Sequence, residues 1–150
     1  FPNVPHSHIA KSGLHIENKD IKWYRQHTFC ADYAFCRTKE AMKQAFSTLT
    51  GGRELVIDSC LGMTKSLEGA ENGALSVLIF VDCEKLQKIN RIISALTHEI
   101  VHLKQNILDS ICEKQVGIET EAYMIQEFMN DGLDALSDWY PDVFLDEAKS

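Results

Sequence analysis

The sequence predicts a single α+β domain over residues 1–150, in which a small mixed sheet packs on two long helices. A length of 150 residues with 45% hydrophobic content suits one core. Two segments are rich in β-forming residues, ELVIDSC at 54–60 and ALSVLIFVD at 74–82. Two longer segments follow, and their apolar residues recur at helical spacing.

The first third of the chain is expected to alternate between extended and helical structure. Residues 1–20 carry two prolines and one glycine with few apolar runs, which favours an extended arm. Residues 21–29 are expected to form a strand. Residues 38–49 are predicted to form a helix, with Thr38 as its N-cap and the Gly51-Gly52 pair as its stop.

The remaining elements follow from turn signals and periodicity. The stretch 62–73 contains three glycines and is expected to form a turn between the two β-rich segments. A first long helix is expected from near residue 84 to near residue 108, and a second from about 117 to 136. Residues 143–148 are expected to add a last helical turn.

Residues 98–102 read HEIVH, a pattern typical of metal-dependent hydrolases. Two helical residues four apart differ by about 40° in azimuth and ~6 Å along the axis. His98 and His102 can therefore direct one imidazole nitrogen each at a single ion, for which zinc is best suited. Glu99 is rotated about 100° from His98, toward the rim of the expected cleft. There it can take a proton from a water molecule on the metal.

Periodicity tests the competing interpretation, a surface helix that happens to carry two histidines. The apolar residues of this helix share one face: Ile89, Ile92, Ile93, Leu96, Ile100, Leu103, Ile107 and Ile111. The histidines lie on the opposite side, where Ala95, Val101 and Leu108 indicate partial burial. Such a helix can line a cleft.

Glu121 is the predicted third metal ligand. It projects from an apolar face of the second helix, where an unpaired carboxylate costs several kcal/mol and a metal ion would compensate. Glu119 is rotated roughly 160° away and is expected in solvent or behind a ligand. The alternative is that Glu121 lies at a helix start and helps to cap exposed amides.

The two signatures HEIVHLKQ and ETEAYMIQ resemble those of small zincin-like proteins encoded by tailed phages and prophages. The matching residues are His98, Glu99, His102 and Gln105, then Glu119, Glu121, Ala122, Tyr123, Ile125 and Gln126. The resemblance covers residues 75 to 130 and implies a zincin-like, gluzincin-type fold. It also implies one Zn²⁺ per chain, bound by His98, His102 and Glu121. It supports the metal site more firmly than any substrate.

In zincins, an edge strand before the metal helix aligns an extended peptide over the ion by strand addition. Residues 74–82 are the candidate here, with Ser76, Leu78 and Phe80 along the edge. The nearly continuous run VLIFV equally favours a buried central strand.

Other residues are weaker candidates. Asn106, one turn beyond His102, could hydrogen-bond a metal ligand. No electrophile for a tetrahedral intermediate is evident, and the groups to inspect first are Tyr24, His27 and Tyr33. Tyr123 is expected to pack. The histidines at positions 6, 8, 15 and 27 are weak alternatives as metal ligands.

Composition narrows the partners and the compartment. A net charge of −7 and a pI near 5.3 argue against nucleic acid, which needs clustered Lys and Arg. No apolar run reaches the ~18 residues of a membrane span. Five cysteines without zinc-ribbon spacing favour free thiols in a reducing cytosol, with a Cys30–Cys36 disulfide as the alternative. A start at Phe1 without a leader is expected of a trimmed chain or a mature product.

Two functions remain as hypotheses. The first is a zinc metallopeptidase in which Glu99 activates water and returns the proton to the leaving amine. The second is a phage-encoded, host-directed binding protein that keeps the metal for stability without turnover. The first is the leading hypothesis, and the second is supported by the small size, which leaves little chain for a substrate-binding lobe, and by the missing electrophile.

Overall fold

The computed structural model describes residues 18–68, 74–111 and 116–149, with side-chain environments up to residue 145. Most of the arm expected over residues 1–20 lies outside these ranges. The elements in chain order are β1 Ile21–Gln26, β2 Ala31–Cys36, α1 Lys39–Thr50, β3 Gly62–Glu68, β4 Leu75–Val81, α2 Cys83–Leu86, α3 Ile89–Ser110, α4 Ile118–Trp139 and α5 Pro141–Lys149. The architecture is α+β with a small mixed sheet, as predicted.

The described residues form a four-stranded sheet in the order β1-β2-β4-β3. Strands β1 and β2 form an antiparallel hairpin, β2 runs parallel to β4, and β3 pairs antiparallel with β4. Strand β4 is therefore internal, and β3 forms an edge of the sheet.

Alternation along the strands separates two apolar cores. One core joins the odd-numbered side chains of β4 to α3, α4 and α5, and it includes Tyr33, Phe35 and Ile79. The other joins Leu78 and Phe80 of β4 to α1. In β3, the register places Gly62, Thr64 and Ser66 on the α3 side and Met63, Lys65 and Leu67 on the α1 side. The edge strand thus faces two different environments.

Helix α1 confirms the predicted start and stop. The Thr38 hydroxyl accepts a hydrogen bond from the amide of Ala41 at 3.0 Å, which satisfies one free donor of the first turn. Gly51 ends the helix with φ of 71°, a left-handed conformation that glycine adopts without steric cost.

The prediction of a strand over residues 54–60 is wrong. Its alternation is real, because Leu55 is buried in the α1-side core while Val56 is 71% exposed. The segment is not a strand because β3 pairs along that side of β4. The stretch predicted to be a turn instead supplies β3, whose polar residues reflect its half-buried position at the edge. Strand β2 was not predicted.

The first long helix is divided near its expected start. The Asp82 side chain accepts from the amide of Lys85 and begins the short helix α2. Gln87 then adopts a φ of 65° and ends it, so α3 begins at Ile89. Because Gln87 is not a glycine, this break cannot be recognised from residue types alone. The second long helix was predicted over 117–136 and is observed as α4.

Helices α3 and α4 pack closely at Gly132. A Cβ atom at this position would lie 2.9 Å from Leu96 Cδ1 and 3.1 Å from Phe35 Cε1. Both neighbours are nearly inaccessible to solvent and have little room to move. None of the described helices has the length and apolar character needed to cross a membrane.

We expect Gly132→Ala to destabilise the fold. Overpacking a core costs about 1–3 kcal/mol, and the better helix propensity of alanine offsets up to about 1 kcal/mol of this. The free energy of unfolding, measured in urea, should fall by roughly 1–2 kcal/mol. In a Leu96→Ala background the same change should cost less, since the contacts with Leu96 are removed and only the contact with Phe35 remains. An equal loss in both backgrounds would contradict this account of the contact.

Candidate functional site

Packing of α3 on the sheet orients the HEIVH segment. Five side chains of α3 are completely buried: Ile92, Leu96, Ile100, Leu103 and Ile107. They follow the three- and four-residue steps of the predicted apolar face, whereas Ile93 and Ile111 at its margins are exposed. His98 and His102 lie on the outer side and are exposed to solvent.

The two imidazoles converge. Their Nε2 atoms lie 3.2 Å apart, and the ring planes meet at 79°. Two nitrogens that bind a tetrahedral zinc at about 2.0–2.1 Å each would be roughly 3.3 Å apart, so this pair fits two positions of such an ion. A direct hydrogen bond between His98 and His102 is the competing account of the same distance.

Gln105 orients His102. Its side-chain Oε1 lies 3.1 Å from His102 Nδ1. An amide oxygen only accepts hydrogen bonds, so this contact requires the proton on Nδ1 and leaves the lone pair on Nε2. Metal-binding histidines are commonly held in this way by their second nitrogen. In the sequence, Gln105 belongs to the motif HEIVHLKQ that resembles the phage proteins, but the motif does not predict this contact.

Glu99 is buried between α3 and β3 and is only 6% exposed, so its expected position at the cleft rim is wrong. The Thr64 hydroxyl donates to Glu99 Oε1 at 2.7 Å and also lies 3.2 Å from the Glu99 carbonyl oxygen. A Cβ atom on Gly62 would lie 2.7 Å from Glu99 Oε2, so only glycine lets the carboxylate approach the strand so closely. Neither Thr64 nor Gly62 was predicted to contact Glu99, because no local pattern relates β3 to α3.

One cavity of about 320 Å³ brings these groups together. Its lining residues are Gly62, Met63, Thr64, His98, Glu99, His102 and Asn106. The structure thus places Asn106 on the histidine side of α3, beside the imidazole pair. A solvent-open cavity with two imidazoles and a carboxylate can bind a cation and move a proton.

The structure does not bring Glu121 to the histidines. Glu121 lies in the first turn of α4, where its side chain is 49% exposed and its Oε2 is 3.5 Å from Lys104 Nζ. Lys104 is rotated about 160° around α3 from His102. The apolar environment assumed for Glu121 is therefore incorrect, and its position at a helix start agrees with the alternative interpretation. Glu119 is also exposed in this turn.

Among residues 18–68, 74–111 and 116–149, no three His, Cys, Asp or Glu side chains form a group that could hold a metal. The histidines at positions 6, 8 and 15 lie outside these ranges, as does Cys112. The cysteines at 30, 36, 60 and 83 are free, so the Cys30–Cys36 disulfide does not form. Burial raises the pKa of the Cys83 thiol to about 12, which keeps this group protonated at neutral pH.

The predicted peptide-binding edge strand is misplaced. Ser76, Leu78 and Phe80 belong to β4, which pairs with β2 on one side and β3 on the other. The run VLIFV is continuous because both faces of β4 are buried. Strand β3 is the edge strand beside the histidine pair.

The tyrosines considered as electrophiles lie elsewhere. Tyr33 is fully buried, and its hydroxyl donates a short hydrogen bond to the Asp131 carboxylate of α4. Burial, followed by the charge of Asp131, raises the pKa of both Tyr24 and Tyr33. Neither these residues nor His27 lines the histidine cavity. Tyr123 is 65% exposed and does not pack as expected.

No protein-family model, curated protein or solved structure matches this chain. The resemblance to zincin-like phage proteins therefore stays a prediction that rests on the two motifs.

Thr64→Val should destabilise the protein, because it leaves the buried Glu99 carboxylate without its hydroxyl donor. Such a loss costs about 1–3 kcal/mol in the free energy of unfolding. Thr64→Ser keeps the hydroxyl and should retain most of the stability. Urea denaturation of the three proteins measures the difference. Equal stability of the valine and serine variants would show that the hydrogen bond contributes nothing.

Proposed function

We propose that this protein is a zinc-dependent hydrolase of the zincin-like class, acting on peptides or proteins. The proposal is carried by one observation: the convergent Nε2 atoms of His98 and His102 share a cavity with the Glu99 carboxylate. In the proposed site the two imidazoles bind one Zn²⁺ per chain. The ion would polarise a substrate carbonyl and lower the pKa of water.

Glu99 is the proposed proton acceptor. Its carboxylate lines the cavity, and Thr64 restrains it through Oε1. Because Gly62 has no side chain, the carboxylate can lie directly against β3. A carboxylate held in this way needs little reorganisation to take a proton from water and pass it to the leaving amine.

Glu121 remains the proposed third ligand, on chemical grounds. It would have to leave Lys104, and a half-exposed ion pair of this kind contributes at most about 1 kcal/mol. Coordination of zinc by a third protein donor is worth considerably more than that. Breaking the ion pair is therefore inexpensive, but Glu121 reaches His98 and His102 only if the first turn of α4 also moves around α3, since Lys104 lies about 160° from His102.

The proposed substrate is an extended polypeptide. Strand β3 is an edge of the sheet, and its Gly62 and Thr64 line the histidine cavity. A peptide that added to β3 would run past His98 and His102, with main-chain hydrogen bonds holding its register. A net charge of −7 disfavours nucleic acid as the substrate.

The second candidate is a metal-stabilised binding protein without turnover, acting on a host component if the chain is phage-encoded. Its support is the ion pair that holds Glu121 away from the histidines. The two candidates share the zinc site and differ in the role of Glu99.

Zinc binding should depend on both histidines. Purified protein is expected to bind one zinc per chain, and His98→Ala or His102→Ala should each weaken the affinity by more than about 100-fold. Gln105→Ala should weaken it by roughly 10- to 100-fold, the usual effect of removing a partner of a metal ligand. Competition with a chromogenic chelator measures all of these affinities. Wild-type affinity in either histidine variant would contradict the site.

Glu121→Ala tests the third ligand, with Glu119→Ala as the matched control from the same helical turn. The proposal predicts weaker zinc binding for the first variant and unchanged binding for the second. If both variants bind zinc like the wild type, the third donor is another group.

Glu99→Gln should keep zinc but abolish hydrolysis. Glutamine preserves the shape of the side chain and still accepts from Thr64, but it cannot take a proton. The expected loss is on the order of 10²- to 10⁴-fold in kcat/KM, measured on a peptide library with zinc-loaded protein. If the zinc-loaded wild type cleaves no peptide, and the Glu99→Gln variant acts in the cell as the wild type does, the binding-protein candidate replaces the hydrolase.

A further inference from the structure

A second cavity lies on the opposite face of β3 from the histidines. It has a volume of about 490 Å³ and lies between β3 and the end of α1. We call it the basic pocket, after Arg53 and Lys65, which line it together with Phe46, Leu49 and Leu67. Its floor is apolar, because Phe46 is 3% exposed and belongs to the α1-side core.

Two cations share one aromatic ring in the basic pocket. The Arg53 guanidinium carbon lies 5.8 Å from the centre of the Phe46 ring, and Lys65 Nζ lies 6.0 Å from it. Neither cation forms an ion pair with a carboxylate in the described part of the chain. Glu68 also lines the cavity without bonding to either. The described lining of the pocket thus carries two cations against the single Glu68 carboxylate, a net positive charge beside apolar side chains.

The register of β3 links this pocket to the histidine cavity. Lys65 pairs with Leu78 and points to the α1 side, whereas Thr64 pairs with Ile79 and points to the α3 side. Successive residues of an extended peptide also point to opposite faces. A peptide added to β3 would place one side chain beside His98 and His102 and a neighbouring side chain at the basic pocket.

We propose that the basic pocket binds an acidic side chain of a peptide that adds to β3, so that the protein prefers substrates with Asp or Glu next to the residue facing the histidine pair. The placement of the peptide along β3, beside the histidine pair, rests on the proposed function. The preference for an acidic side chain concerns binding and does not depend on cleavage. The carboxylate accepts charge-assisted hydrogen bonds from Arg53 and Lys65. Its methylene groups contact Leu49 and Leu67, which line the pocket and are partly exposed.

Fluorescence polarisation with labelled hexapeptides tests the proposal. The probes alternate Val and Thr and carry one central Glu, Gln or Lys, and zinc-loaded Glu99→Gln protein prevents their turnover. The Glu probe should bind about tenfold more tightly than the Gln probe, and the Lys probe most weakly. The preference should shrink as salt rises, because these charges are near the surface.

Charge-reversal variants show whether Lys65 and Arg53 cause the preference for the Glu probe. Lys65→Glu and Arg53→Glu should each remove the advantage of the Glu probe, and the milder Lys65→Gln should reduce it. Lys43→Glu is the matched control, since it makes the same change in net charge at an exposed site of α1 outside the pocket. Equal affinity for the Glu and Gln probes overturns the proposal, as does equal loss in Lys43→Glu and Lys65→Glu. Failure of all three probes to bind also overturns it.

Cleavage of the same peptides by the wild type separates this inference from the proposed function. A Glu preference in binding without any cleavage would leave the pocket assigned and remove the hydrolase. Cleavage without a Glu preference would keep the hydrolase and remove the acidic subsite.

Discussion

The rotational setting of α3 on the sheet is the constraint on which the rest of the site depends. Burial of one apolar face leaves the helix no freedom to turn, since a shift of one residue would rotate every side chain by about 100°. With the phase fixed, His98 and His102 face solvent and Glu99 faces β3. The same core packing that stabilises the domain therefore determines which groups can act together.

Burial of the Glu99 carboxylate against β3 costs free energy, and the packing of the domain does not require a carboxylate at this position. A buried carboxylate requires hydrogen bonds to compensate for lost hydration, and an apolar residue would stabilise this position better. Strand β3 instead accommodates the carboxylate. Gly62 leaves room where the carboxylate approaches, and the Thr64 hydroxyl donates a hydrogen bond to it. Local departures of this kind from optimal packing occur preferentially at functional sites, which is why we propose a role in chemistry for Glu99.

The sequence was sufficient to predict those parts of the fold that depend only on residues close together in the chain. The cap at Thr38, the stop at Gly51 and the periodicity of α3 needed no tertiary information. Residues 54–60 alternate like a strand, but β3, with fewer apolar residues, pairs with β4 instead. The position of Glu121 depended on where α4 meets α3, and its pairing with Lys104 followed from that packing. Periodicity within one helix cannot supply such a relation between helices.

X-ray absorption at the zinc edge of the loaded protein tests whether His98 and His102 bind the ion. We expect scattering from two imidazoles with Zn–N distances of about 2.0–2.1 Å, the remaining donors being oxygen, and no sulfur at ~2.3 Å. Both imidazole contributions should disappear in the His98→Ala/His102→Ala double variant. A spectrum without imidazole scattering, or one that the double variant leaves unchanged, would contradict the assignment of this cavity as the metal site.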